Sequence, residues 1–197
     1  MREVELKGIL PDPEATVAAL EQAGATLLYR GRLEDRRFDT PERSLALRDL
    51  VLRLRTYRTA DRVEAHLDWK GPTQYVDGYK VRDEETTTLG DPAALAIMLE
   101  QLGFVVTREI DREIAQYRVA GAVVRIERYP RLDVLAEVEG EPAAIEGAIR
   151  VLGVPRSDFT TGRLPDFVRA FEARTGERAA LCDRELAGDY RYSASDA

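Results

Sequence analysis

The sequence of 197 residues predicts an α+β fold in which antiparallel strands carry helices on their apolar side. Two observations lead there. Eight segments alternate apolar and charged residues with the period of two that a strand imposes. Three others share one helical format: DPEATVAALEQAGA at 12–25, DPAALAIMLEQLGF at 91–104 and EPAAIEGAIRVLGV at 141–154. Each opens on an acid suited to the N-cap or first turn and continues with proline at the tolerated first helical position. Gly24, Gly103 and Gly153 close them.

Taken in order, the first strand, at 2–8, puts Glu3, Glu5 and Lys7 on one face and Val4 and Leu6 on the other. The first helix follows, and then a strand at 27–38. At 50–57, VLRLRTY sets Arg53 and Arg55 opposite Leu52 and Leu54. At 63–70, EAHLDWKG aligns His66, Asp68 and Lys70 against Ala65, Leu67 and Trp69. YKVRDEET, in the strand at 79–88, aligns Lys80, Arg82 and Glu84 against Tyr79 and Val81. After the second helix, the strand at 105–118 carries Arg108 and Arg112 on either side of Ile110. Arg125 and Glu127 lie at 121–128, and Glu137 and Glu139 at 133–139. A last helix is expected at 165–175, behind Pro165. The length suits one domain, taken as 1–176, with 177–197 as a polar and partly mobile tail.

Composition narrows the function classes. A net charge of -7 argues against nucleic-acid binding through a basic surface, while leaving a basic interior open. No apolar run is long enough for a membrane span and the charged start lacks a signal-peptide core, so a cytoplasmic protein is expected. Cys182 is the only cysteine and His66 the only histidine, which leaves no set of soft ligands for zinc. Any metal is therefore expected to be hard and bound by oxygen. Of 29 basic residues, only Lys7, Lys70 and Lys80 are lysine, and all three fall in charged strands.

The alternation admits two architectures. In an open sheet with helices on one face, the charged face is simply wet. In a barrel with helices outside, the charges point inward and require a highly charged ligand.

The motifs EVELK, FDTP, LRLR, LDWKGP, KVRDEET, LEQLGF and AEVEG, in that order over residues 2–170, resemble the CYTH superfamily of triphosphate tunnel metalloenzymes. Their wording is most similar to class IV adenylate cyclase homologues; thiamine triphosphatases and inorganic triphosphatases belong to the same superfamily. The resemblance implies an eight-stranded antiparallel barrel open as a tunnel, helices outside, acids that bind Mg2+ or Mn2+, and bases that hold a triphosphate. Glu3, Glu5, Glu137 and Glu139 match the acidic positions, and Glu127 stands where the family carries aspartate. Lys7, Arg53, Arg55, Lys70 and Arg82 match the basic set, to which the charged strands add Lys80, Arg112 and Arg125. Lys7 and Glu84 are the catalytic candidates, Lys7 by positioning charge and Glu84 as a general base, a role for which a metal-bound hydroxide is equally compatible with the sequence.

Two departures stand out. The family's Lys-x-Arg pair in the strand after the second helix is replaced by Arg108 and Arg112, and YPRLD lacks the glycine usual before the last strand. The expected activity is metal-dependent cleavage of a phosphorus–oxygen bond in ATP, thiamine triphosphate or tripolyphosphate, by a cyclase or a triphosphatase. The alternative is a non-catalytic module for polyphosphate or a phosphorylated ligand. The expected partner is a triphosphate small molecule, with no nucleic acid and no membrane, and the chain acts as a monomer or homodimer.

Overall fold

A computed structural model describes residues 2–189. Its strands are β1 (Arg2–Ile9), β2 (Thr26–Asp39), β3 (Val51–Arg58), β4 (Val63–Lys70), β5 (Gln74–Val76), β6 (Tyr79–Leu89), β7 (Val105–Val119), β8 (Ala122–Arg128), β9 (Leu135–Glu139) and β10 (Phe159–Thr160). Its α-helices are α1 (Pro13–Gln22), α2 (Pro92–Gln101), α3 (Pro142–Leu152), α4 (Leu164–Thr175) and α5 (Asp183–Ala187). The strands run in the order β1-β9-β8-β7-β2-β3-β4-β6, and β6 pairs back onto β1, which closes an eight-stranded antiparallel barrel. Closure removes the open edge, so the charged faces turn inward together.

The helix starts follow from local chemistry. Asp12 Oδ1 accepts from the Ala15 amide and Asp91 Oδ1 from the Ala94 amide, each at 2.9 Å. Glu141 sits at the third start without a side-chain cap bond. Gly153 ends α3 at a φ of 70°, a left-handed conformation that other residues adopt at a cost.

Outside the barrel, Leu20 of α1 and Ile145, Ile149 and Leu152 of α3 bury against Leu6, Val124 and Val138. Leu99 of α2 packs on Phe38, Leu54 and Ala65. Each such side chain contributes about 1.5–3 kcal/mol when fully buried. Leu164 and Phe167 of α4 pack with Ile110, Tyr129, Leu135 and Leu181.

Three short elements lay below the reach of sequence periodicity: β5, β10 and α5 span 3, 2 and 5 residues. Within the segment taken as a polar and partly mobile tail from residue 177, a short stretch packs against the barrel. Ala179, Ala180, Leu181 and Cys182 are buried, the Asp111 amide donates to the Leu181 carbonyl at 2.7 Å, and Arg184 Nη1 reaches Glu109 at 2.8 Å. A four-residue apolar stretch is too short to show a period, yet long enough to pack. Residues 190–197 of the expected tail lie outside the described residues.

Candidate functional site inside the barrel

Register decides which charges meet. On β1 and β9, Glu5 stands opposite Glu139 and Lys7 opposite Glu137; on β1 and β6, Glu3 stands opposite Arg82 and Glu5 opposite Lys80. Lys70 Nζ donates to both Glu3 oxygens at 2.7 Å, and Lys80 pairs with Glu5. Lys7 Nζ lies 2.8 Å from Glu137 Oε2, and Arg125 pairs with the other Glu137 oxygen.

Among the described residues, the four bases of this wall pair with Glu3, Glu5 and Glu137, and Glu139 pairs with none of them. Burial, Glu3 and Glu137 push Glu139 up to about 7, although Arg125 opposes them. Burial and Glu137 also raise Glu5, despite Lys80. Burial pulls Lys7 down, but Glu137 and Glu127 outweigh it, so Lys7 stays protonated well above the ordinary lysine value.

The facing wall is built from arginine. Arg53 Nε donates to Asp68 Oδ2 at 2.8 Å and its Nη2 to Glu84 Oε1 at 3.3 Å, while Arg55 pairs with Asp68. Glu84 also receives Lys70 at 3.1 Å. Arg112 bridges Asp35 Oδ2 at 2.8 Å and Glu127 Oε1 at 2.9 Å, and the Tyr129 hydroxyl donates to Glu127 Oε2 at 2.8 Å. Burial opposes ionisation of Asp35, Asp68, Glu84 and Glu127, but the neighbouring cations prevail and hold all four below the ordinary carboxylate range. Arg82 instead donates to the carbonyls of Gly71 and Asp49, each at 2.7 Å.

A cavity of about 170 Å³ runs through this arrangement, lined among others by Glu5, Lys7, Arg53, Lys70, Arg82 and Arg112. The closed sheet therefore brings the sequence-derived candidates into one interior, with Glu127 in the Arg112 cluster rather than beside Glu3. Among the described residues, no three carboxylates form a ready-made metal cage; Glu3, Glu5 and Glu137 each hold a lysine. Asp35, Arg37 and Tyr129 were not singled out from sequence, and Asp68 was placed on the charged face of its strand without a role. Leu33, Asp35 and Arg37 share a face of β2 by simple alternation, which is the signal that marks Asp35 and Arg37. His66 lies apart from this network, with its Nε2 on Glu64 at 2.8 Å.

The model of the CYTH domain matches residues 1–144 of this chain. The chain belongs to the CYTH domain family. Solved structures share its fold. One is a candidate adenylate cyclase from Vibrio parahaemolyticus, at 19% identity and a TM-score of 0.71, covering 85% of this chain and 97% of that one. Another is HpAC1 from Hippeastrum, a candidate adenylyl cyclase with a dominant triphosphatase activity, at 20% identity and a TM-score of 0.62, covering 91% and 98%. A third, a conserved hypothetical protein from Pyrococcus furiosus, has 18% identity and a TM-score of 0.68, covering 84% and 99%. No protein among the curated sequences matches. Among the described residues, no helix is long and apolar enough to cross a membrane.

Proposed function

We propose that this CYTH protein is a divalent-metal-dependent enzyme that hydrolyses a phosphorus–oxygen bond of a triphosphate. One observation carries the reading. Among the described residues, the cavity is lined by ten cations (Lys7, Lys70, Lys80, Arg37, Arg43, Arg53, Arg82, Arg112, Arg125 and Arg163) against six carboxylates (Glu5, Asp35, Asp39, Asp49, Glu127 and Glu137), a marked excess of positive charge. A triphosphate carries several negative charges near neutral pH, which that excess would meet.

The acidic wall fits such a cation chemically. Its donors are all carboxylate oxygens, and the upward shifts of Glu5 and Glu139 mark negative charge in need of a counter-ion. Glu3, Glu5, Glu137 and Glu139 would hold Mg2+ or Mn2+, which when bound would neutralise phosphate charge as a Lewis acid. The arginines of β3 and β7 would grip phosphate oxygens with planar forks. Lys7, held protonated between Glu137 and Glu127, positions charge and does not serve as the base. Glu84, held ionised by Lys70 and Arg53, is the candidate to orient the attacking water.

Hydrolysis is preferred to cyclisation because the cavity is short of rings. Of the aromatic residues lining it, Tyr129 is tied to Glu127 and Phe38 belongs to the outer cluster with Leu99. A small triphosphate in the cytoplasm is then the partner, bound through its phosphates by a monomer or homodimer. The second reading, a binding module without turnover, draws support from the lysines that occupy the metal-facing acids.

Incubation with tripolyphosphate, thiamine triphosphate and ATP in Mg2+ or Mn2+, followed by product analysis, separates these readings. Release of orthophosphate is expected. Cyclic nucleotide with pyrophosphate from ATP would make the protein a cyclase, and tight binding without product would make it a binding module.

A further inference from the structure

The charged cavity takes the end of β2 and the starts of β3 and β7. At the other ends of these strands a pocket of about 580 Å³ opens, walled by Tyr29, Tyr57, Glu64, His66 and Gln116, with Leu27 and Leu28 beside them. That size suits a small organic ligand. Register puts the walls on the inward face: Tyr57 stands opposite Glu64 and His66 opposite Arg55, while Gln116 stands opposite Tyr29 on one side and Arg125 on the other. The rings form one edge-to-face row, with centroids 5.3 Å apart from Tyr29 to Tyr57 and 5.4 Å from Tyr57 to His66. Arg55, which lies between Tyr57 and the cavity's Arg53 along β3, sits 5.6 Å from the Tyr57 ring centroid. The backbone makes room for the row. A bulge leaves Leu28 as an extra residue beside Tyr29, whose hydroxyl donates to the Arg58 carbonyl at 2.9 Å. A Cβ at Gly31 would collide with that carbonyl and come within 2.8 Å of the hydroxyl. Leu27 and Leu28 are 47% and 41% exposed, and among the described residues no hydrogen bond engages the Tyr57 hydroxyl or the Gln116 amide. Rings, bare apolar side chains and an unengaged amide thus face one space.

We propose that this pocket is a binding site for a planar nitrogen heterocycle of the nucleobase class, separate from the phosphate cavity at the opposite end of the barrel. The flat ring packs against Tyr57 and the leucines, and its polar edge meets the Gln116 amide, which offers a donor and an acceptor in one fork, as side-chain amides do to adenine. The ring belongs either to a free nucleoside or to the organic end of a triphosphate; the recognition chemistry is the same. The inference goes beyond the phosphate reading and does not depend on it.

His66 is the only histidine of the chain, so its imidazole supplies one unambiguous set of NMR signals at the site. Titrating the parent with adenosine, ATP and tripolyphosphate, and then the variants Tyr57→Leu, Tyr57→Phe and Gln116→Leu with whichever ligand saturates, tests the proposal. Adenosine is expected to shift the His66 signals saturably. Tyr57→Leu and Gln116→Leu should each weaken that binding at least about fivefold, the lower end of what losing a stacking partner costs, whereas Tyr57→Phe keeps the ring and should stay within about twofold of the parent. A saturable shift with ATP and none with adenosine would also support the site, and would assign the ring to the organic end of a triphosphate. The site is overturned if neither adenosine nor ATP moves the signals, if Tyr57→Leu and Gln116→Leu bind as tightly as the parent, or if tripolyphosphate, which has no ring, reproduces the shift. Tripolyphosphate affinity measured by calorimetry reads the charged cavity separately, so any of these failures leaves the phosphate reading to stand or fall by itself.

Discussion

The two walls of the tunnel solve one problem by different means. On β1 and β9, carboxylates crowd one another, and the group with the least compensation, Glu139, responds by retaining a proton to about pH 7. On β2, β3 and β7, guanidinium groups crowd one another, and arginine cannot shed its charge in the same range. That wall therefore needs permanent anions: Asp35 is 1% exposed and Asp68 fully buried, each locked between arginines. A wall of acids can wait for a metal in protonated form; a wall of arginines must carry its own counter-ions.

The largest effect is expected where that counter-ion is removed. Asp35→Ala strands Arg112 and takes a second anion from beside Arg53, and should lower unfolding free energy by about 3–5 kcal/mol in urea denaturation. A cost under about 1 kcal/mol would show that the arginine wall tolerates free charge, and the contrast between the walls would collapse.

Next comes the grip on ligand. Arg53→Ala should weaken tripolyphosphate binding by roughly 1.5–3 kcal/mol in calorimetry, the range of a hydrogen bond to a charged group. Binding at parental affinity would confine Arg53 to its contacts with Asp68 and Glu84.

The acidic wall predicts a pH dependence. Glu139 has a folded pKa raised from 4.5 to about 7, so between those values the folded state binds more protons than the unfolded state. Stability should therefore fall as pH rises from about 4.5 to 7, by about 1–2 kcal/mol in EDTA, because the charged form is disfavoured only when folded. Glu139→Gln should flatten that slope. The same slope in both proteins would place the titration elsewhere on the wall.

The smallest effect belongs to the surface. Arg174→Lys alters an exposed pair with Asp133 and should change stability by less than about 1 kcal/mol, with tripolyphosphate affinity untouched. A change in affinity from this distant site would mean that the two walls do not account for binding by themselves.

Strand and helix positions were legible because alternation of period two and the acid–proline–glycine helix format are local signals. The charged faces were legible for the same reason, and the order of EVELK through AEVEG pointed to closure. Arg37 shared a face with Asp35 in plain sight, but its distinction is a buried Nε without an acceptor among the described residues, which no local pattern records. The docking of Ala179–Cys182 was hidden because four apolar residues have no readable period.

The sequence by itself thus determined which side chains alternate, where helices begin and end, and that one face of nearly every barrel strand is charged. Only the tertiary structure decided which charges neutralise each other. Lys70 meets Glu3 across 67 positions of chain, and Arg112 meets Asp35 across 77. Such pairings depend on the register of strands brought together by barrel closure, and a shift of one residue would turn every one of these side chains to the other face.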